Sequence, residues 1–229
     1  IAYTLVHVLN LPVAIGTGLL LVGCCPGGVS SNIMSFLCKG DVAFSVGITT
    51  LSTLLAPLTT PLLMLFLARE TVDVDALGMF KSILVVTILP IAIGATINGI
   101  FGNRKAFVEF KKLLPVFAVV ALGCIVGGVV SAQGANIAKS GLLIFVAVLL
   151  HNSLGYAIGY ATGVVARFTA AKRRTISIEV GMQNGGMAGA LATDVLKSAV
   201  AALPANVFSI WMNFSGSIIA SFWSKRSPK

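Results

Sequence analysis

Long apolar runs separated by short polar loops organise this chain, and two of the runs are interrupted near their middles. The first occupies residues 12–39 and breaks at Cys25-Pro26-Gly27-Gly28-Val29-Ser30-Ser31-Asn32. The second occupies residues 174–197 and breaks at Glu179-Val180-Gly181-Met182-Gln183-Asn184-Gly185-Gly186. Runs of about 20 apolar residues match the thickness of a bilayer's hydrocarbon core. The pattern predicts membrane segments at 12–39 (interrupted), 42–68, 77–101, 113–132, 140–166, 175–196 (interrupted) and 205–223. Residues 1–11 read as the tail of an earlier helix. A backbone that unwinds at mid-membrane strands N–H and C=O groups, which is tolerable only where they face protein, water or a ligand.

Composition agrees. The chain is 57% hydrophobic and 10% charged, with mean hydropathy +0.99, whereas soluble domains carry about 25% charged residues. The net charge of +9 would suggest nucleic acid in a soluble protein, but here the basic residues sit in short loops. Lys39, Arg104, Lys105, Lys111, Lys112, Arg167, Lys172, Arg173, Arg174, Lys225, Arg226 and Lys229 fall on one side. Arg69, Lys81, Lys139 and Lys197 fall on the other, with Glu70, Asp73, Asp75 and Asp194. The positive-inside rule makes the first side cytoplasmic, the C-terminus included, and the plasma (inner) membrane is the expected location. Cys24, Cys25, Cys38 and Cys124 have no metal-ligand spacing and read as small apolar packing residues.

The two halves resemble each other. Each has an apolar half-helix, a Gly-rich polar break containing Asn32 or Asn184, a short half-helix, and an acidic residue, Asp41 or Asp194. The charge pattern gives the two interrupted helices opposite orientations, as an inverted repeat requires. Residues 1–75 are then the C-terminal part of a first repeat, and 76–229 a complete second one. On a five-span unit, the first repeat lacks two helices and most of a third, so the chain reads as N-terminally truncated, with seven of ten spans. Gly155, Gly159 and Gly163, one turn apart, predict a face packed closely against an interrupted helix. Pro57, Pro61 and Pro90 predict kinks.

Glu179 is the one acidic residue in the interior of a predicted span, Asp194 falling at the end of the same one. An unpaired carboxylate there must be protonated, paired or bound to a cation. Gln183 shares its helical face if the helix continues that far, and the break frees carbonyls at 180–182. A carboxylate, an amide oxygen and loose carbonyls suit a hard cation such as Na⁺; an ion pair with Arg173 or Arg174 is the structural alternative. In the first half, Ser31 and Asn32 offer oxygens at the break, and Ser45 and Thr49 share a face of the next helix. His151, followed by Asn152 and Ser153, is the other polar cluster within a span. It reads as a packed, hydrogen-bonded histidine, with a proton relay as the alternative.

The runs Gly23-Cys24-Cys25-Pro26-Gly27-Gly28-Val29-Ser30-Ser31-Asn32, Gly40-Asp41-Val42-Ala43-Phe44-Ser45-Val46 and Glu179-Val180-Gly181-Met182-Gln183-Asn184 resemble the bile acid:sodium symporter family. The resemblance covers essentially the whole chain. It implies an all-α polytopic membrane protein, an inverted-repeat transporter with two crossed discontinuous helices in a core domain, beside a panel domain. It implies one sodium site at Ser31, Asn32, Ser45, Thr49 and Glu179. A second is implied at Glu179, Val180, Met182 and Gln183, with Val180 and Met182 acting through carbonyls and a further ligand from the helix of which 1–11 remains. Asn184 and Asn213 match positions facing the substrate cavity. Relatives often carry His before the latter Asn, where this chain has Met212, and that difference leans toward carboxylates smaller than bile acids. Backbone N–H groups at Gly28, Val29 and Ser30 and at Gly185 and Gly186 are suited to an anion, because half-helix N-termini carry partial positive charge.

These expectations describe a sodium-coupled symporter of a small organic anion working by alternating access. Two Na⁺ serve as coupling ions, with no other cofactor. The lipid bilayer is the expected surrounding, with no nucleic acid and no obligate protein partner. Proton coupling through Glu179 or His151 is the alternative. A channel lacks a charged ring or carbonyl filter, and an intramembrane enzyme lacks a nucleophile paired with a base.

Overall fold

The computed structural model describes residues 1–68 and 72–226; between 115 and 140 only the side chains at 117, 120, 124 and 131 are described. The fold is helical, with α1 (Ala2–Val8), α2 (Val13–Cys24), α3 (Ser30–Leu37), α4 (Val42–Ala68), α5 (Ala76–Ile83), α6 (Leu89–Phe101), α7 (Lys105–Val165), α8 (Ala170–Gly181), α9 (Gly185–Asp194) and α10 (Ala199–Ser224). Among the described residues, Val42–Ala68, Ala76–Phe101 and Gly141–Val165 are long and apolar enough to cross a membrane. Helix α10 has the length but carries Asn206, Ser209, Asn213, Ser215 and Ser217, and packs inward on α2, α7 and α9.

Both interrupted runs are broken where the polar residues interrupt the apolar pattern. Helix α2 stops at Cys24 before Pro26, which has no N–H to continue it. Helix α8 stops at Gly181, and α9 restarts at Gly185 under an Asn184 cap whose side chain accepts the Met187 N–H. The two breaks run antiparallel past each other. Gly28 N–H donates to the Met182 carbonyl and Asn184 N–H to the Pro26 carbonyl, both at 2.8 Å, around a Gly27–Gln183 bridge. Stranded backbone groups in each break are thus satisfied by the other. Buried Leu19, Leu21, Val22, Ile144, Val148, Ile178, Leu191, Leu203 and Phe208 close the surrounding core.

Three prolines have different outcomes. Pro57 and Pro61 lie inside an unbroken α4, whereas Pro90 follows a π-helical turn, Leu84–Ile88, that joins α5 to α6. The wider turn absorbs the missing hydrogen bond. Helix α6 buries none of its residues, an apolar surface suited to hydrocarbon.

One expectation is corrected. In place of a loop between the expected spans at 113–132 and 140–166, Lys105–Val165 is a single helix of 61 residues. The intervening 133–139 contains Gly134 but no proline, and its alanines favour helix. At 1.5 Å per residue the helix is roughly 90 Å long, about three hydrocarbon thicknesses. Most side chains of the expected 113–132 span, and Lys139, lie outside the described residues. Residues 141–165 pack on α8, with the three glycines facing its backbone. A Cβ at Gly155 would lie 3.0 Å from the Gly181 Cα, at Gly159 2.7 Å from the Ile176 carbonyl, and at Gly163 3.0 Å from the Arg173 Cα.

Candidate functional site

Glu179 sits two residues before the end of α8, 5% exposed, with its carboxylate beside α3 and α4. Ser31 Oγ donates to Oε1 at 2.6 Å, Ser45 Oγ makes a short hydrogen bond to the same oxygen, and Thr49 Oγ1 donates to Oε2 at 2.9 Å. Asn32 turns its amide oxygen inward, 3.0 Å from Ser45 Oγ and 3.4 Å from Thr49 Oγ1. All five residues expected at the first sodium site are therefore brought together. Ser45 and Thr49 reach the carboxylate because they stand one turn apart on α4.

Ser45 Oγ alone lies within hydrogen-bonding reach of Glu179 Oε1, Asn32 Oδ1 and, at 3.1 Å, Ser35 Oγ. Ser35 can donate its own proton, but the single Ser45 proton cannot serve Glu179 Oε1 and Asn32 Oδ1 at once. The cluster therefore holds more oxygen lone pairs than hydrogens, the donor set a hard cation satisfies. No described lysine, arginine or histidine is within ion-pair distance of Glu179; the ion pair among the described residues is Lys112–Glu109 at the surface. Arg174, though buried, donates instead to the carbonyls of Cys38, Trp223 and Arg226 at 2.9–3.2 Å. It thereby closes the C-terminal ends of α3 and α10, where helix dipoles favour a cation. Ser35, one turn after Ser31 and fully buried, joins the cluster unanticipated; its spacing from Ser31 was the available signal.

The residues expected at the second site divide into two groups. Gly27 lies against one. A Cβ there would be 2.9 Å from Glu179 Oε2, 3.9 Å from the Glu179 carbonyl and 4.0 Å from the Met182 carbonyl. That carbonyl also accepts the Gly28 N–H. Val180 and Gln183 instead border a cavity of about 270 Å³ together with Ile1, Tyr3 and His151. Helix α8 ends before Gln183, so its side chain leaves the Glu179 face. Its Oε1 lies 2.7 Å from His151 Nε2, and its Nε2 donates to the Gly23 carbonyl at 3.4 Å. His151 is buried against Phe208, and its Nδ1 has no partner among the described residues.

The expected substrate positions also separate. Val29 and Asn184 line a cavity of about 250 Å³ with Asn32, Thr49, Thr53 and Thr87, next to the carboxylate cluster. Thr53 and Thr87 were not anticipated; Thr53 continues the four-residue spacing of Ser45 and Thr49, which was the available signal, whereas Thr87 stands alone in an apolar run. The Gly28 N–H is engaged by the Met182 carbonyl, and the Gly185 N–H by the Gln183 carbonyl at 2.9 Å. Gly185 lies against Ser209 and the Ala205 carbonyl of α10. Asn213, half-buried, donates to the Ser209 carbonyl at 2.7 Å, and Met212 is buried in the core.

Two interrupted helices, paired at their breaks beside a carboxylate wrapped in hydroxyl and amide oxygens, define the transporter class built on discontinuous membrane helices. The comparisons with known proteins agree. A profile described as the Sodium Bile acid symporter family matches residues 1–140. The chain is 44% identical over 229 residues to "Uncharacterized sodium-dependent transporter YocS" of Bacillus subtilis (strain 168), covering 100% of this chain and 70% of that protein. It is 38% identical over 228 residues to "Probable sodium/metabolite cotransporter BASS1, chloroplastic" of Arabidopsis thaliana, covering 100% of this chain and 56% of that one. To "Probable sodium/metabolite cotransporter BASS2, chloroplastic" of Oryza sativa subsp. japonica it is 36% identical over 231 residues, covering 99% and 54%. The chain belongs to the sodium bile acid symporter family. It spans little more than half the length of these plant relatives.

Proposed function

We propose that this chain carries the ion-binding core of a sodium-coupled symporter of a small organic anion. The observation that supports the reading best is the Glu179 carboxylate, buried without a cationic side chain and ringed by Ser31, Ser45, Thr49 and Asn32. One Na⁺ binds in this ring. A second binds by the Glu179 and Met182 carbonyls near Gly27, with Val180 and Gln183 contributing after rearrangement. Two cations against one carboxylate leave a positive centre, which a substrate carboxylate in the adjoining Asn184–Thr53–Thr87 cavity neutralises. That cavity, at about 250 Å³, is on the scale of a small carboxylate, and a buried Met212 in place of the family's frequent His supports the same choice. Sodium binding to residues on both sides of the crossing orders it, and the core then moves against the rest of the transporter in an inverted-repeat framework. The membrane potential adds ~2.3 kcal/mol per inward charge per 100 mV. The orientation in this reading is a cytoplasmic C-terminus.

The test is the melting temperature of the full-length protein in NaCl against KCl, with Glu179→Ala and Glu179→Gln alongside. A ligand selective for the folded state raises its stability. The expected result is a rise in NaCl that both variants lose; equal melting in the two salts for the parent protein refutes sodium coupling. Proton coupling is the second reading, favoured by the buried His151 with its unpartnered Nδ1. Uptake driven by a pH gradient in sodium-free buffer, abolished by His151→Phe, would select it.

A further inference from the structure

The carbonyl ends of the two interrupted helices are covered by buried side chains that none of the expected sites includes. The last residue of α2 is Cys24, and its carbonyl accepts from Thr60 Oγ1 of α4 at 2.8 Å. The last residue of α8 is Gly181, and its carbonyl accepts from Asn152 Nδ2 of α7 at 2.7 Å. Thr60 is 0% exposed and Asn152 1%, so neither bond is an incidental surface contact. A threonine within a helix commonly donates to its own i−4 carbonyl, as Thr17, Thr96 and Thr162 do. Thr60 reaches across to another helix instead. Asn152 is held in place by Ser215 Oγ, which donates to its Oδ1 at 2.6 Å, and Ser215 in turn meets the Tyr156 hydroxyl. One donor comes from the helix after its break and the other from the helix before its break. A shared need, rather than a copied segment, accounts for the two caps.

That need follows from the break. Ending a helix inside a bilayer strands its final carbonyls away from water. Cys24 lies two residues before Pro26, whose carbonyl receives the Asn184 N–H; Gly181 lies two residues after Glu179 and one before Met182, whose carbonyl receives the Gly28 N–H. A shift at either helix end is therefore transmitted to the crossing and to the carboxylate.

We propose that Thr60 and Asn152 are a matched pair of positioning residues that cap the half-helix ends and hold the crossing in its cation-binding geometry. This rests on the sodium reading above. Removing either donor leaves a buried carbonyl unpaired, and the helix end reorients toward another donor or toward the cation itself. The geometry around Glu179 loosens, although no residue touching the cation has changed.

The test measures the half-saturating sodium concentration for binding (the dissociation constant), fitted from the logarithmic rise of melting temperature of the full-length protein in NaCl–KCl mixtures. Variants are Thr60→Val, which keeps shape without the hydroxyl, Thr60→Ser, which restores it, Asn152→Leu, and Thr162→Val as a threonine bonded only within its own helix. Thr60→Val and Asn152→Leu are each expected to raise the half-saturating concentration about tenfold, one unpaired buried carbonyl's worth. Thr60→Ser and Thr162→Val are expected to stay within about twofold of the parent. Loss of stability in KCl alone does not move this readout, so a merely structural role is separated from positioning. Should Thr60→Val fail to fold, Thr60→Ala and Asn152→Leu carry the same comparison. Folded cap variants that keep the parent's sodium half-saturation overturn the proposal while leaving sodium coupling intact. A parent protein with no sodium shift overturns both.

Discussion

Gly27→Ala places one methyl group against the carboxylate and changes nothing else. No glycine in the described chain adopts a positive φ, so alanine is permitted by the backbone. Its Cβ would lie 2.9 Å from Glu179 Oε2, where ordinary contact begins near 3.4 Å. The carboxylate has little freedom to yield, because Ser31 holds Oε1 at 2.6 Å and Thr49 holds Oε2 at 2.9 Å. Overpacking of this kind costs about 1–3 kcal/mol. If the strain falls on the cation-binding arrangement, sodium binds about 5- to 150-fold more weakly. The assay is a sodium titration of the melting temperature at constant total salt. Gly47→Ala in α4 is the control, since a Cβ there meets nothing within 4 Å. It should leave the titration unchanged and gain up to about 1 kcal/mol from helix propensity. A folded Gly27→Ala protein with the parent's sodium half-saturation would refute the placement of a cation beside Glu179 Oε2.

Three further substitutions test the scaffold. Arg174→Lys, whose single ammonium cannot serve the carbonyls of Cys38, Trp223 and Arg226 together, should cost about 2–4 kcal/mol; an unchanged melting temperature would show that the three-way clasp contributes nothing. Gly159→Ala pushes a Cβ to within 2.7 Å of a backbone carbonyl that cannot rotate away, so it should destabilise despite alanine's helix propensity, whereas Gly99→Ala, in open space, should not. Arg167 sits at φ 55° just past α7, where its neighbour Phe168 donates back to the Gly163 carbonyl. Arg167→Gly should stabilise by about 1 kcal/mol, and a lower melting temperature in detergent would contradict the strain assigned there.

Much of the site was legible because membranes punish polarity. A lone acidic residue in an apolar span, two Gly- and Asn-containing interruptions, and hydroxyls one turn apart on α4 are costly features, so each stands out against its background. Side chains that are cheap individually were invisible. Thr60 looks like any helical hydroxyl until its partner 36 positions away is known. Helix ends were also poorly marked: residues 133–139 read as a loop from their polarity, yet nothing in them forbids the continuous helix that forms.

Because hydropathy and helix periodicity are local, the order of residues already dictates an apolar, helical chain, two broken helices and a polar partner for Glu179. Which partner it finds depends on the packing of distant helices. That packing brought α3 and α4 to the carboxylate, sent Arg174 to helix ends, turned Gln183 toward His151, and paired the two breaks through Gly28 and Asn184. Those choices depend on how whole helices pack, and the packing joins residues that no local pattern relates.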